Sequence, residues 1–260
     1  MKASERELMK PKSPRYGTSQ IIEKAKEFGA SLAGITNVEA LKKSPSHLMY
    51  GKLDEYKTVG NKEGNLKPGE IAWPENARSV IVIAIWHPEE KPELDWWRHG
   101  FNGGTAGNRM LISTSSKLSK WLEKEKGIKT TALPYHIEHG GIFLKDAAVT
   151  AGLGCIGKNN LLVTAAYGPR VRLRAMLTDE LLPETGPVDF DPCRDCSMPC
   201  RNACPQNAFE NGAYSRALCN IQLERDRATA ALTKARQKTD KQSLPVKYCR
   251  ACELSCTLGH

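Results

Sequence analysis

The feature that most constrains this chain is the spacing of its C-terminal cysteines. Cys193, Cys196, Cys200 and Cys204, followed directly by Pro205, form C-x2-C-x3-C-x3-C-P, and Cys219, Cys249, Cys252 and Cys256 repeat the pattern with a long insertion after the first member. From Leu181 onward the sequence turns to Pro, Gly and Asp and then to these cysteines, with almost no aliphatic runs. Such a segment cannot fold by apolar burial alone and needs metal to order it. The first run is one residue longer than the bacterial four-iron pattern, in which the cysteine before proline ligates the other cluster. The same rule applied here assigns Cys193, Cys196, Cys200 and Cys256 to one [4Fe-4S] cluster and Cys204, Cys219, Cys249 and Cys252 to a second. Zinc is the alternative, since C-x2-C pairs also build tetrahedral sites. The triplets, the proline, the eight ligands and their crossing favour clusters. Cys155 stands outside both sets and reads as a free buried thiol.

The remaining sequence supplies a core. Thr18 to Phe28 has helical apolar spacing, with Thr18 as cap and Gly29 as stop. Ser31 to Ile35 reads as a short strand, residues 51–78 as a surface excursion, and Ser79 to Trp86 as a strand buried on both faces at the centre of a sheet. Glycines between His99 and Asn108 mark a mobile or ligand-approaching loop. A helix is expected over Arg109 to Lys126, a strand over Thr130 to Leu133 and a helix over Ile142 to Ala151. Two more strands are expected over Asn160 to Thr164 and Val171 to Leu177. The alternation predicts an α/β or α+β layered domain over residues 1–185, and the cysteines a second domain over 186–260.

Charge and termini limit the function classes. The formal charge is +9, but each oxidised four-iron cluster with its thiolates brings roughly two negative charges. Solvated lysines account for the remainder better than a nucleic-acid face. The insert from Asn220 to Tyr248 nonetheless holds seven Lys or Arg against three acids. No apolar run reaches membrane-spanning length, and the N-terminus has neither an apolar signal core nor twin arginines. A cytoplasmic protein with no membrane partner is expected.

Gly152-Leu-Gly154-Cys-Ile-Gly157-Lys158-Asn159 satisfies G-x-G-x-x-G and nearly a phosphate loop. A dinucleotide fold needs a strand before this motif and a helix after it, whereas the order here is reversed. A phosphate loop needs Ser or Thr where Asn159 stands.

Taken together, Ala151 to Asn159, Tyr167-Gly-Pro-Arg-Val-Arg-Leu173, Leu177-Thr-Asp179 and the eight cysteines resemble the cobalamin-dependent iron–sulfur reductases, namely epoxyqueuosine reductase and the reductive dehalogenases. The resemblance implies a nitroreductase-like α/β domain that holds base-off cobalamin against a ferredoxin-like module with two [4Fe-4S] clusters. It implies that Gly152, Leu153, Gly154, Cys155, Ile156 and Gly157 pack on the corrin. It places Glu138 where epoxyqueuosine reductase has an aspartate proposed as proton donor, and Lys158 near the basic residue that dehalogenases hold over cobalt. Tyr135 is a further catalytic candidate by neighbourhood, as are His136 and His139. Four residues follow Cys256, short of the helical-repeat extension common in epoxyqueuosine reductase, which lowers the expectation of tRNA.

The leading expectation is therefore a cytoplasmic cobalamin-dependent oxidoreductase. Its clusters, fed by an external ferredoxin or flavodoxin-like donor, reduce Co(II) to Co(I) for dehalogenation- or deoxygenation-like chemistry on a small organic substrate. One alternative is an electron-transfer protein that reduces a partner's corrinoid or enzyme. The other is epoxyqueuosine reductase-like modification of tRNA.

Overall fold

The computed structural model describes residues 17–50, 73–133, 141–237 and 244–259. In chain order these form α1 (Thr18–Glu27), β1 (Leu32–Asn37), α2 (Val38–Lys42), α3 (Pro45–Tyr50), β2 (Ser79–Trp86), a 3-10 turn (Pro92–Asp95) and α4 (Ala106–Trp121). There follow β3 (Thr130–Ala132), α5 (Leu144–Thr150), β4 (Cys155–Ile156), β5 (Leu162–Val163), β6 (Val171–Thr178), α6 (Pro199–Asn202), α7 (Arg216–Gln237) and α8 (Ala251–Leu254).

The β-branched run of β2 sits second in a four-stranded sheet of order β1-β2-β6-β3, paired antiparallel to β1 on one side and β6 on the other. Its alternation splits the core. Ile81, Ile83 and Ile85 face α1 and α4 through Ile21, Ala25, Leu111 and Leu118. Val80, Val82 and Ala84 face α2 and α5 through Leu41, Ala147 and Ala148. Each buried aliphatic side chain contributes about 1.5–3 kcal/mol, so the sheet is a stiff wall between two helical layers. The described sheet pairings are all antiparallel, which makes the fold a mixed α/β layer structure.

Several element edges differ from the sequence reading. Gly17, not Thr18, takes the cap position of α1, because the Thr18 hydroxyl is drawn to the Pro183 carbonyl at 2.7 Å. Helix α4 begins at Ala106 because Thr105 caps it, accepting the Asn108 amide at 3.1 Å. That places Gly107 in the helix, where a Cβ would stand 2.0 Å from Cε1 of the fully buried His87. Asn160 to Thr164 shortens to a two-residue strand, and its partner is Cys155–Ile156 from the glycine stretch. Part of the expected excursion, residues 51–72, lies outside the described residues.

Candidate functional site

The cysteines gather in two sets. Cys193, Cys196, Cys200 and Cys256 line one small cavity of about 20 Å³ together with Lys158 and Asn159. Burial pushes the Cys200 thiol up, and Cys256, Cys193 and Cys196 add to the shift. The other four also sense one another. Burial pushes Cys252 up to about 12, with Cys249, Glu253, Cys204 and Cys219 contributing in turn. Four thiolates in one half-buried space repel, and only bound cations let all of them ionise. Among the described residues no three His, Cys, Asp or Glu side chains are grouped to hold a single metal ion. The first set lines the small cavity, and three of the second set, Cys219, Cys249 and Cys252, line a larger one.

Backbone amides already point at sulfur. Met198 N–H donates to Cys196 Sγ at 3.4 Å and Ala208 N–H to Cys204 Sγ at 3.3 Å. Such bonds tune an iron–sulfur site. Cys256 is held from the sheet by Arg170, which is 2% exposed. Its Nη1 donates to the Leu258 carbonyl at 2.6 Å, and its Nη2 to those of Leu254 and Cys256 at 2.9 and 3.3 Å. Gly168 admits the same segment, since a Cβ there would meet the Leu258 carbonyl at 2.1 Å. Asn159, buried, donates to the Cys252 carbonyl at 3.3 Å and lines both this cavity and a larger one.

The larger cavity, about 600 Å³ and open, lies between the sheet layer and the second cysteine set. Its walls include Phe143 to Lys145, Asn159 to Leu162, Pro169, Arg172, Tyr214, Arg216, Cys219, Cys249, Arg250, Cys252 and Glu253. A closed ring of charges underlies it. Arg172 pairs with Asp95 and Glu253 at 2.9 Å each, and Arg250 pairs with Asp95 at 3.0 Å and with Glu253 at 2.5 Å. His87 Nδ1 meets Asp95 at 2.9 Å. Burial opposes ionisation of Asp95, but the His87 hydrogen bond and the charges of Arg172 and Arg250 outweigh it and hold the carboxyl below its usual range. Burial, then the hydrogen bond to Cys219, pushes the Tyr214 phenol up.

The segment entering the cavity is braced from below. His47 is buried, and its Nε2 accepts the Phe143 N–H at 3.4 Å, so the other ring nitrogen donates to Ser44 Oγ at 2.8 Å. Burial holds His47 down to about 4, opposed by Asp146. Asp146 accepts the Ser46 amide and hydroxyl at 2.9 and 2.7 Å.

The glycine stretch does not line the large cavity. A Cβ at Gly152 would meet the Thr185 carbonyl at 2.7 Å, and one at Gly154 the Val163 carbonyl at 2.0 Å. Only at Gly157 is a cysteine sulfur near, 3.4 Å from Cys193. These glycines let backbone pass backbone, and Asn159 to Leu162, which follow Lys158, form part of the cavity wall. Lys158 borders the smaller cavity, with Nζ donating to the Arg194 carbonyl at 3.3 Å. Cys155 is half-buried rather than buried, its thiol pushed up to about 11 by burial, then by Cys193 and Asp191. Tyr135, His136, Glu138 and His139 lie outside the described residues. Sequence reasoning missed Arg170, Lys145, Tyr214 and the ring of Asp95, Arg172, Arg250 and Glu253. The signal for Arg170 and Arg172 was arginine beside the alternating apolar positions of β6.

No family model matches the chain. Among curated proteins it is 34% identical over 143 residues to the epoxyqueuosine reductase of Lactococcus garvieae, 52% of this chain and 39% of that one. It is 24% identical over 262 residues to that of Bacillus subtilis, 92% of this chain and 63% of the relative. The solved epoxyqueuosine reductase of Streptococcus thermophilus superposes with a TM-score of 0.64 at 22% identity, covering 92% of this chain and 65% of that one. An epoxyqueuosine reductase structure holding an epoxyqueuosine-modified tRNA-Tyr stem loop gives 0.58 at 20% identity, covering 93% and 64%. A catabolic reductive dehalogenase in complex with 3-bromo-4-hydroxybenzoic acid gives 0.50 at 19%, covering 75% and 26%. The similarity bears out the resemblance to the cobalamin-dependent iron–sulfur reductase superfamily, and the chain spans less than two thirds of these relatives' length. The curated relatives are epoxyqueuosine reductases, so the reading ranked behind small-molecule reduction is the better supported one.

Proposed function

We propose that the chain is a reductase of the epoxyqueuosine reductase kind, acting on an oxygenated nucleoside in tRNA. The observation that carries this reading is the gathering of eight cysteines into two sets of four, the second bordering the large cavity. Cys193, Cys196, Cys200 and Cys256 would hold one [4Fe-4S] cluster, and Cys204, Cys219, Cys249 and Cys252 the other. An external ferredoxin or flavodoxin-like protein would supply the electrons.

The cavity of about 600 Å³ lies within the range of about 300–1,000 Å³ that holds drug-sized ligands. The cavity is open to solvent, and a macrocycle would sit in its mouth with one part against the wall. When bound, a corrinoid supplies a cobalt centre able to pass electrons to a carbon–oxygen bond. Asn159 to Leu162 and Arg172 would orient it. Loss of an epoxide oxygen as water consumes two electrons and two protons. Glu138, with Tyr135 as the alternative, would donate a proton from the segment that leads into Phe143, which His47 braces. Lys158 acts beside the first cysteine set, consistent with its place on the smaller cavity.

The test is a single-turnover reaction under anaerobic conditions, with clusters reconstituted and cobalamin added, offered an epoxyqueuosine-bearing stem loop or a bromophenol. Loss of one oxygen from the RNA without bromide release is expected. Bromide release with intact RNA would restore the dehalogenation reading. No product from either substrate would leave an electron carrier.

A further inference from the structure

The cations around the large cavity are unevenly compensated. Arg172 and Arg250 are matched by Asp95 and Glu253 in the closed ring. Two more stand on the wall, Lys145 in the first turn of α5 and Arg216 at the start of α7. Burial lowers the Lys145 ammonium from its ordinary value, Asp146 opposes this, and Arg216 adds to the lowering, so the two charges feel each other. Asp146 spends both oxygens on Ser46. Lys145 Nζ donates to the Asn160 carbonyl and Oδ1 at 2.6 and 2.9 Å, which uses two of its three N–H groups on neutral acceptors. Among the described residues Arg216 has neither an ion pair nor a side-chain hydrogen bond, and it is exposed to the cavity mouth.

We propose that Lys145 and Arg216 form a phosphodiester-binding pair on the wall of the large cavity. Lys145 offers its third N–H as a point charge, and Arg216 offers a planar fork that matches two phosphate oxygens. The inference rests on the function proposed above, because both ligands of that reaction carry a phosphodiester: the nucleotide tail of cobalamin and the backbone of RNA. A purely structural role for Lys145 is the competing account, since it also pins Asn160 at φ 58°. That account assigns nothing to Arg216.

Anaerobic, cluster-loaded protein is titrated with cobalamin, with cobinamide, which lacks the phosphate-bearing tail, and with the RNA stem loop. Wild type is compared with Arg216→Gln and Lys145→Gln. One charge-assisted hydrogen bond corresponds to about a tenfold change or more in affinity. Arg216→Gln is expected to weaken either cobalamin or the stem loop about tenfold while cobinamide stays within about twofold. Weaker cobalamin binding assigns the pair to the tail, and weaker stem-loop binding assigns it to RNA. Unchanged binding of both, or an equal loss for cobinamide, overturns the pair. If wild type binds neither ligand, the proposed function fails instead. Inorganic pyrophosphate then decides separately: binding by wild type and not by Arg216→Gln upholds the pair, and equal binding refutes it.

Discussion

Replacing Arg170 by Gln should detach the C-terminal end of the cysteine segment from the sheet. The guanidinium serves the carbonyls of Leu254, Cys256 and Leu258 from a site 2% exposed. A hydrogen bond to a charged group contributes about 1.5–3 kcal/mol net. The three share one side chain and are not additive, so the loss is set at about 2–4 kcal/mol, the cost of leaving part-buried carbonyls without their donor. Glutamine keeps a donor but cannot span three carbonyls. Because Cys256 lies inside the released segment, the first set should fall to three anchored cysteines. Urea unfolding should show a lower midpoint, and anaerobic iron analysis should show about half the wild-type iron. An Arg170→Gln protein within about 0.5 kcal/mol of wild type and with full iron would refute this anchoring role.

Three further outcomes follow from the same geometry. Gly154→Ala, at φ 156° and facing the Val163 carbonyl at 2.0 Å, should destabilise by about 2–4 kcal/mol, read by thermal unfolding; an unchanged melt would contradict the packing of β4 on β5. His47 titrates near 4 in the fold against 6.5 for its ordinary value, so the unfolded chain binds more protons between these values. Stability is complete above about pH 6.5 and is lost as pH falls towards 4, by at most about 3 kcal/mol and, after solvent screening, about 1–2. His47→Gln should flatten that slope in urea melts. Cys155→Ser should leave iron content unchanged while Cys256→Ser lowers it, and equal losses would contradict the division of the nine cysteines.

Legibility in the sequence followed the range of the interaction. The β2 strand was readable because a seven-residue apolar run has few other uses, and the grouping of the cysteines was readable because most of their spacing is written locally. The crossing of Cys204 and Cys256 was readable only through the proline rule. Arg170, by contrast, acts on carbonyls more than eighty positions away, and nothing near it marks them. The ring of Asp95, Arg172, Arg250 and Glu253 likewise assembles from three separated segments. The glycines of 152–157 signal close approach in the sequence, and the structure shows the Thr185 and Val163 backbone as close neighbours. A glycine says that something is near and not what it is.

The most direct test is iron and acid-labile sulfide per chain on anaerobically purified protein. Two cubes on the eight cysteines require about eight irons and as many sulfides. Two zinc ions with no labile sulfide would contradict the clusters on which the proposed reduction depends.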